Sequence, residues 1–160
     1  MSARFSLPTM FLLIRPLWLI VNVVTISREL KPVELAAPVA AYAHGVHVPA
    51  GHELIVTSGV VPTRRDGSVP ANIGEQASVV WQNISAILAE GSMTISDVVS
   101  VTTYVVNSDG LADQLKIVMA ERDFAMGGHR AASTLVTVPA LAKPEWLMEI
   151  SVLAARRPNS

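Results

Sequence analysis

From residue 43 onward, apolar positions fall into short blocks separated by Pro, Gly, Asp and Asn. Ala43–Val48 reads as a short extended segment closed by Pro49-Ala50-Gly51, and Glu53–Val61 is rich in β-branched residues and ends at Pro62. The two are predicted to pair as a hairpin, followed by a turn at Asp66-Gly67. Asn72 and Glu75 have the spacing of a helix N-cap and its reciprocal acid. Ile73, Ala77, Val80, Ile84 and Ile87/Leu88 then recur at helical spacing until Gly91 stops the helix. Asp97–Val106 predicts a strand. Leu111–Met126 predicts a second helix, with Leu111, Leu115, Val118 and Met119 on one face and Gly127-Gly128 as the stop. Ala132–Val138 and Trp146–Ala155 predict two final strands joined through Pro139 and Pro144. The order β-β-α-β-α-β-β is that of an α+β domain, one mixed sheet with both helices on one face.

Strand parity sharpens this picture. In Asp97–Val106 one face carries Val99, Val101, Thr103 and Val105, and the other Val98, Ser100, Thr102, Tyr104 and Val106. In Trp146–Ala155, Trp146, Met148, Ile150, Val152 and Ala154 oppose Leu147, Glu149, Ser151 and Leu153. Two helices cover only one face, so the other leaves apolar and hydroxyl side chains in water. A partner subunit is the simplest cover.

Composition agrees with a chain that associates. Of its 160 residues 51% are hydrophobic and only 16% are charged. Cysteine is absent, which removes disulfides, thiolate nucleophiles and cysteine zinc sites and leaves the compartment open. A net charge of −1 argues against nucleic-acid binding. Charge is also segregated. Residues 1–26 carry Arg4 and Arg15 and no acid, whereas all thirteen acids follow Ser27.

Residues 1–26 therefore read as an apolar extension, residues 27–157 as one domain and 158–160 as a tail. The run Thr9–Val24 has sixteen residues with Arg15 and Pro16 near its centre. A spanning helix needs about 20 apolar residues, and a central Arg costs roughly 2.5–3.5 kcal/mol on insertion. The run also lacks a small-x-small cleavage site. Firm membrane association is not expected and the chain is placed in the cytoplasm, with a spanning or exported N-terminus and initiation near Val23 as the alternatives.

Several stretches resemble, in order, the Rid (YjgF) family. They are Pro38-Val-Ala-Ala-Tyr42-Ala-His44, Leu54-Ile-Val-Thr-Ser58-Gly59-Val-Val-Pro62, Asp66-Gly67, Gln76-Ala77 with Asn83-Ile84, Thr102-Thr103-Tyr104-Val105, Ser133-Thr-Leu-Val136-Thr-Val138, and Met148-Glu149-Ile150. The resemblance covers roughly residues 33–156 and leaves out residues 1–26. It implies a chorismate-mutase-like fold and a homotrimer whose sheets face a common centre, with ligand clefts between neighbours. Family members of the best-known branch hydrolyse imines and enamines released by pyridoxal-phosphate enzymes, such as 2-iminobutanoate and 2-iminopropanoate, to the 2-oxo acid and ammonia. Others are associated with RNA cleavage or with no clear chemistry. No cofactor is implied.

The resemblance also nominates site residues. Glu149 matches a glutamate that positions or activates water, and an interface salt bridge is the alternative for it. Ser58-Gly59, for its part, ends a strand, where the glycine permits close backbone approach and a free backbone N–H can bind a carbonyl or carboxylate oxygen of a ligand, against a simple strand-end bend. Tyr42 matches a cleft-lining residue. The deaminase branch clamps the substrate carboxylate with an arginine on the penultimate strand, and that position here is Ser133. Arg130, three residues earlier, points to the opposite face of a regular strand. His44 and His47 do the same relative to each other, so no shared metal is expected, and His129 reads as a solvated loop residue. The expected function is a trimer that binds, and on the leading reading hydrolyses, a small imine, enamine or carbonyl compound. A non-catalytic ligand-binding trimer is the alternative, and RNA cleavage is disfavoured by the acidic matched region.

Overall fold

A computed structural model describes residues 27–158. The expectations for residues 1–26, including the apolar run, lie outside the described residues, as do the last two positions. No helix among the described residues is long and apolar enough to cross a membrane.

The elements are β1 (Arg28–Leu30), β2 (Gly45–His47), β3 (Glu53–Val56), α1 (Ile73–Glu90), a 3-10 turn (Ile95–Asp97), β4 (Val98–Val106), α2 (Leu111–Met126), β5 (Ala132–Val138) and β6 (Met148–Arg156). α1 begins where the sequence places its cap. Asn72 Oδ1 accepts from the Glu75 N–H at 2.9 Å, and the reciprocal bond to Glu75 comes from the Asn72 side-chain amide rather than from its backbone. α2 ends at Gly127 in the left-handed region, which a residue without Cβ adopts at little cost.

Four strands form one mixed sheet in the order β3-β6-β4-β5, with β4 and β5 parallel and the other pairs antiparallel. Val101 and Val105 of β4 and Met148, Ile150, Val152 and Ala154 of β6 turn inward. They pack against Ala77, Val80, Ile84 and Leu88 of α1 and Val118 and Met126 of α2. Both helices thus cover one face. On the other lie Tyr104, Glu149, Ser151 and Leu153, together with Leu54 and Val56, which are 57% and 74% exposed in the single chain.

Two expectations are corrected. Ala43–Val48 and Glu53–Val61 do not form a hairpin. β2 pairs instead with β1, as Arg28↔His47 and Leu30↔Gly45, and β3 pairs with β6. Strand length is the reason available, since β2 has only three residues while the nine-residue β6 pairs with all four residues of β3. The parity of β4 is also broken by an extra residue between Val98 and Ser100. Val98 therefore joins the helix-facing core in place of Val99, which lines a cleft with Ser27, Val46 and Arg130.

A buried polar side chain ties α1 to the start of β6. Gln76 donates to Pro70 O and Glu145 O and accepts from the Leu147 N–H, each at 2.8 Å. Replacing it with leucine leaves two carbonyls and one N–H without their partner inside the protein. Gln76→Leu is expected to lower unfolding free energy by about 2–4 kcal/mol, read by urea denaturation. A loss below about 1 kcal/mol would show that water takes over these bonds.

Candidate functional site

The β3–β6 ladder is regular from Glu53↔Arg156 to Val56↔Leu153. Thr57 N–H still donates to Val152 O at 3.0 Å, but the returning Val152 N–H goes to the Thr57 hydroxyl, at 2.9 Å. Pairing resumes at Val60, whose N–H and carbonyl both bond Ile150. From Thr57 to Val60 the chain takes one step more than from Val152 to Ile150. Ser58 and Gly59 are thereby bulged out of the ladder with their N–H groups outside it.

Glu149 lies opposite Tyr104 of β4, half-buried on the sheet face away from the helices. Met148 and Ile150 flank it in sequence but point into the core, on the other side of the sheet from the carboxylate. Its side chain instead crosses over Gly59. A Cβ on Gly59 would fall 1.5 Å from Glu149 Oε1 and 2.3 Å from Cδ. The carboxylate therefore occupies the space that any side chain at position 59 would need. Ser58 stands beside it, exposed.

Tyr42 and Ser133 sit at the opposite edge of the sheet. Ala43 bridges Ala132, and Arg130 donates to the Tyr42 carbonyl while pairing with Glu29 at 3.2 Å. The Tyr42 ring meets His44 edge-on at 5.9 Å. Ser133 pairs with Val101 and so faces the helix side, half-buried. Two strand spacings, about 10 Å, separate this edge from β6. Within one chain Ser58, Gly59 and Glu149 come together, and Tyr42 and Ser133 form a separate set. Arg130, engaged by Glu29 and the Tyr42 carbonyl, does not stand in at Ser133. His129 is corrected as well. It is half-buried, with a ring nitrogen 2.6 Å from Val98 O.

One feature beside the bulge was not singled out from sequence. An open groove of about 440 Å³ runs from Ser58 and Gly59 to Arg64 and Arg65, along Asn83 and Ile87 of α1. Asn83 donates to Val61 O and Thr63 O and holds this loop against α1. The arginine pair directly before the Asp66-Gly67 turn was the available signal.

Gly59→Ala tests the close approach. The added methyl forces Glu149 to another rotamer or shifts the bulge, at a stability cost of about 1–3 kcal/mol. A crystal structure of the variant is expected to show the carboxylate displaced from residue 59. An unmoved carboxylate with unchanged stability would contradict the geometry described.

The comparisons with known proteins agree with this architecture. The family described as Endoribonuclease L-PSP matches residues 33–156. The 2-iminobutanoate/2-iminopropanoate deaminase of Escherichia coli K12 is 30% identical over 137 residues, covering 83% of this chain and 98% of the relative. A RutC family protein of Haemophilus influenzae is 34% identical, covering 65% of this chain and 80% of that protein. A Rid-family protein from Yersinia pestis, solved as a protein of unknown function, superposes with a TM-score of 0.71 at 28% identity, covering 81% of this chain and 98% of its own. The YjgF gene product of E. coli does so at 0.60 and 27%, covering 81% and 99%. The chain belongs to the Endoribonuclease L-PSP family, the Rid (YjgF) group of proteins.

Proposed function

We propose that this protein binds small imine, enamine or related carbonyl compounds in clefts between copies of itself and hydrolyses the imine. The observation that carries this reading is the Glu149 carboxylate lying across Gly59, next to N–H groups bulged out of the sheet. The bulged N–H groups and the Ser58 hydroxyl are donors suited to an acceptor atom of the substrate. Glu149 is the base placed to take a proton from water. The water oxygen bonds to the imine carbon while its proton passes by way of Glu149 to nitrogen. The hydroxyl of the resulting carbinolamine then gives its proton by the same route to that nitrogen as the C–N bond breaks, releasing ammonia and the carbonyl product. The name of the E. coli relative supports the same reaction class.

Assembly as a trimer is part of this reading for two reasons. It covers the sheet face carrying Leu54, Val56 and Leu153. It also brings the Tyr42–Ser133 edge of one copy to the Glu149 edge of the next. Light scattering is expected to give about three times the 17.1 kDa chain mass. A monomer at micromolar concentration would contradict the shared cleft.

Ser133 limits the substrates. Without a guanidinium there, a carboxylate adjacent to the imine carbon loses its partner, a loss of about 2–4 kcal/mol or roughly 30- to 1,000-fold in kcat/KM. 2-Iminopropanoate generated by an amino-acid oxidase is expected to be a poor substrate. Ser133→Arg is expected to raise its turnover at least about tenfold, and Glu149→Gln to remove it. Turnover matching that of the E. coli relative without substitution would overturn the role given to Ser133. Silence in both the parent and Ser133→Arg would favour the second reading, a ligand-binding trimer without catalysis, since Arg130 is already engaged by Glu29 and supplies no relocated clamp.

A further inference from the structure

Thr57 and Val152 form the last rung before the bulge, and half of that rung is made by a side chain. In a regular antiparallel ladder, two residues paired in this way exchange both of their N–H···O bonds through the backbone. Here the Thr57 N–H donates to the Val152 carbonyl at 3.0 Å, but the Val152 N–H donates to the Thr57 hydroxyl, at 2.9 Å, rather than to the Thr57 carbonyl. On the far side of the bulge the ladder is ordinary. Val60 and Ile150 exchange both backbone bonds, at 2.7 and 3.1 Å.

These two ends fix what the bulge can do. Because Val60 is held by two bonds, the extra residue is not absorbed further along the chain, and only the peptides between Thr57 and Val60 are free to turn. The Thr57 carbonyl and the Ser58 N–H share one rigid trans peptide and point in opposite directions. A Thr57 carbonyl turned to Val152 would aim the Ser58 N–H away from β6, the strand that carries Glu149. The hydroxyl takes the Val152 N–H instead and releases that peptide from the ladder. Gly59 comes next, and a Cβ on it would fall 1.5 Å from Glu149 Oε1, so a turn in this backbone is passed on to the carboxylate. Threonine suits the position because branching at Cβ stiffens χ1 and holds the oxygen toward β6. Val152 is buried, so the hydroxyl also keeps a buried donor from going unpaired.

We infer that Thr57 is a positioning residue of this site. Its hydroxyl sets the direction of the Ser58 N–H and the place of Gly59, and with them the seat of the Glu149 carboxylate. The role rests on the reading of Glu149 and Gly59 as the reacting end. It adds to that reading a residue that acts on the reaction only through the backbone.

Three variants of the full chain test it. Thr57→Val keeps the branched shape and removes the oxygen, Thr57→Ser keeps the oxygen, and Val118→Ala opens the helix-side core as a control for stability alone. Turnover of 2-iminopropanoate is measured for each, in the parent and in the Ser133→Arg background. Thr57→Val is expected to lower kcat about 10- to 100-fold with little change in KM, the scale of a reacting group misplaced by about an ångström. Thr57→Ser is expected to recover most of that loss, and Val118→Ala to leave kcat unchanged. In NMR spectra, the Ser58 and Gly59 amides and the Glu149 carboxyl carbon are expected to shift in Thr57→Val but not in Val118→Ala. A kcat in Thr57→Val no lower than in Val118→Ala, or no recovery with serine, would overturn the positioning role. Absence of turnover in every background would remove the hydrolytic reading and leave the spectra to decide: shifted Ser58, Gly59 and Glu149 resonances sustain the role of Thr57, and unshifted ones overturn it.

Discussion

A carboxylate occupying the space of a missing side chain is the constraint around which the site is built. Glu149 can lie across β3 only because residue 59 has no Cβ. Gly59 can lie there only because the ladder has gained a residue between Thr57 and Val60. That extra residue would leave the Val152 N–H without a backbone acceptor, and the Thr57 hydroxyl takes that place. Four residues thus do three different jobs. Thr57 closes the ladder, Ser58 and Gly59 stand outside it, and Glu149 fills the gap from the neighbouring strand.

Much of the frame around this arrangement was legible in the chain. α1 announces itself through Asn72, Glu75 and apolar residues three or four apart, all local signals. β5 and α2 have the limits that their patterns and flanking glycines gave them. What failed depended on distant partners. Adjacent β-rich segments read as a hairpin because proximity in sequence was the only guide, whereas the actual partner of β3 lies some hundred residues away. β1 is three residues, Arg-Glu-Leu, with no periodicity to detect. Val98 and Val99 are chemically alike, so a bulge that exchanges their faces leaves no trace in composition.

The site was legible in kind and illegible in geometry. Glu149 could be assigned to a strand face by alternation, and a glycine at a strand end is a recognisable request for close approach. That the two meet follows only from the β3–β6 register. Tyr42 and Ser133 were nominated together with Glu149, yet one chain places them across the sheet. Their separation, with the uncovered face bearing Leu54 and Val56, is the observation on which the proposed assembly rests.

The most direct test of the account is a crystal structure of the protein soaked with a small ketone. The account predicts the ketone oxygen within about 3 Å of the Gly59 or Ser58 N–H, with the Glu149 carboxylate facing the carbonyl carbon and the Tyr42 edge of a neighbouring copy closing the cleft. A ketone bound elsewhere, with position 59 shielded from solvent by its own chain, would contradict it.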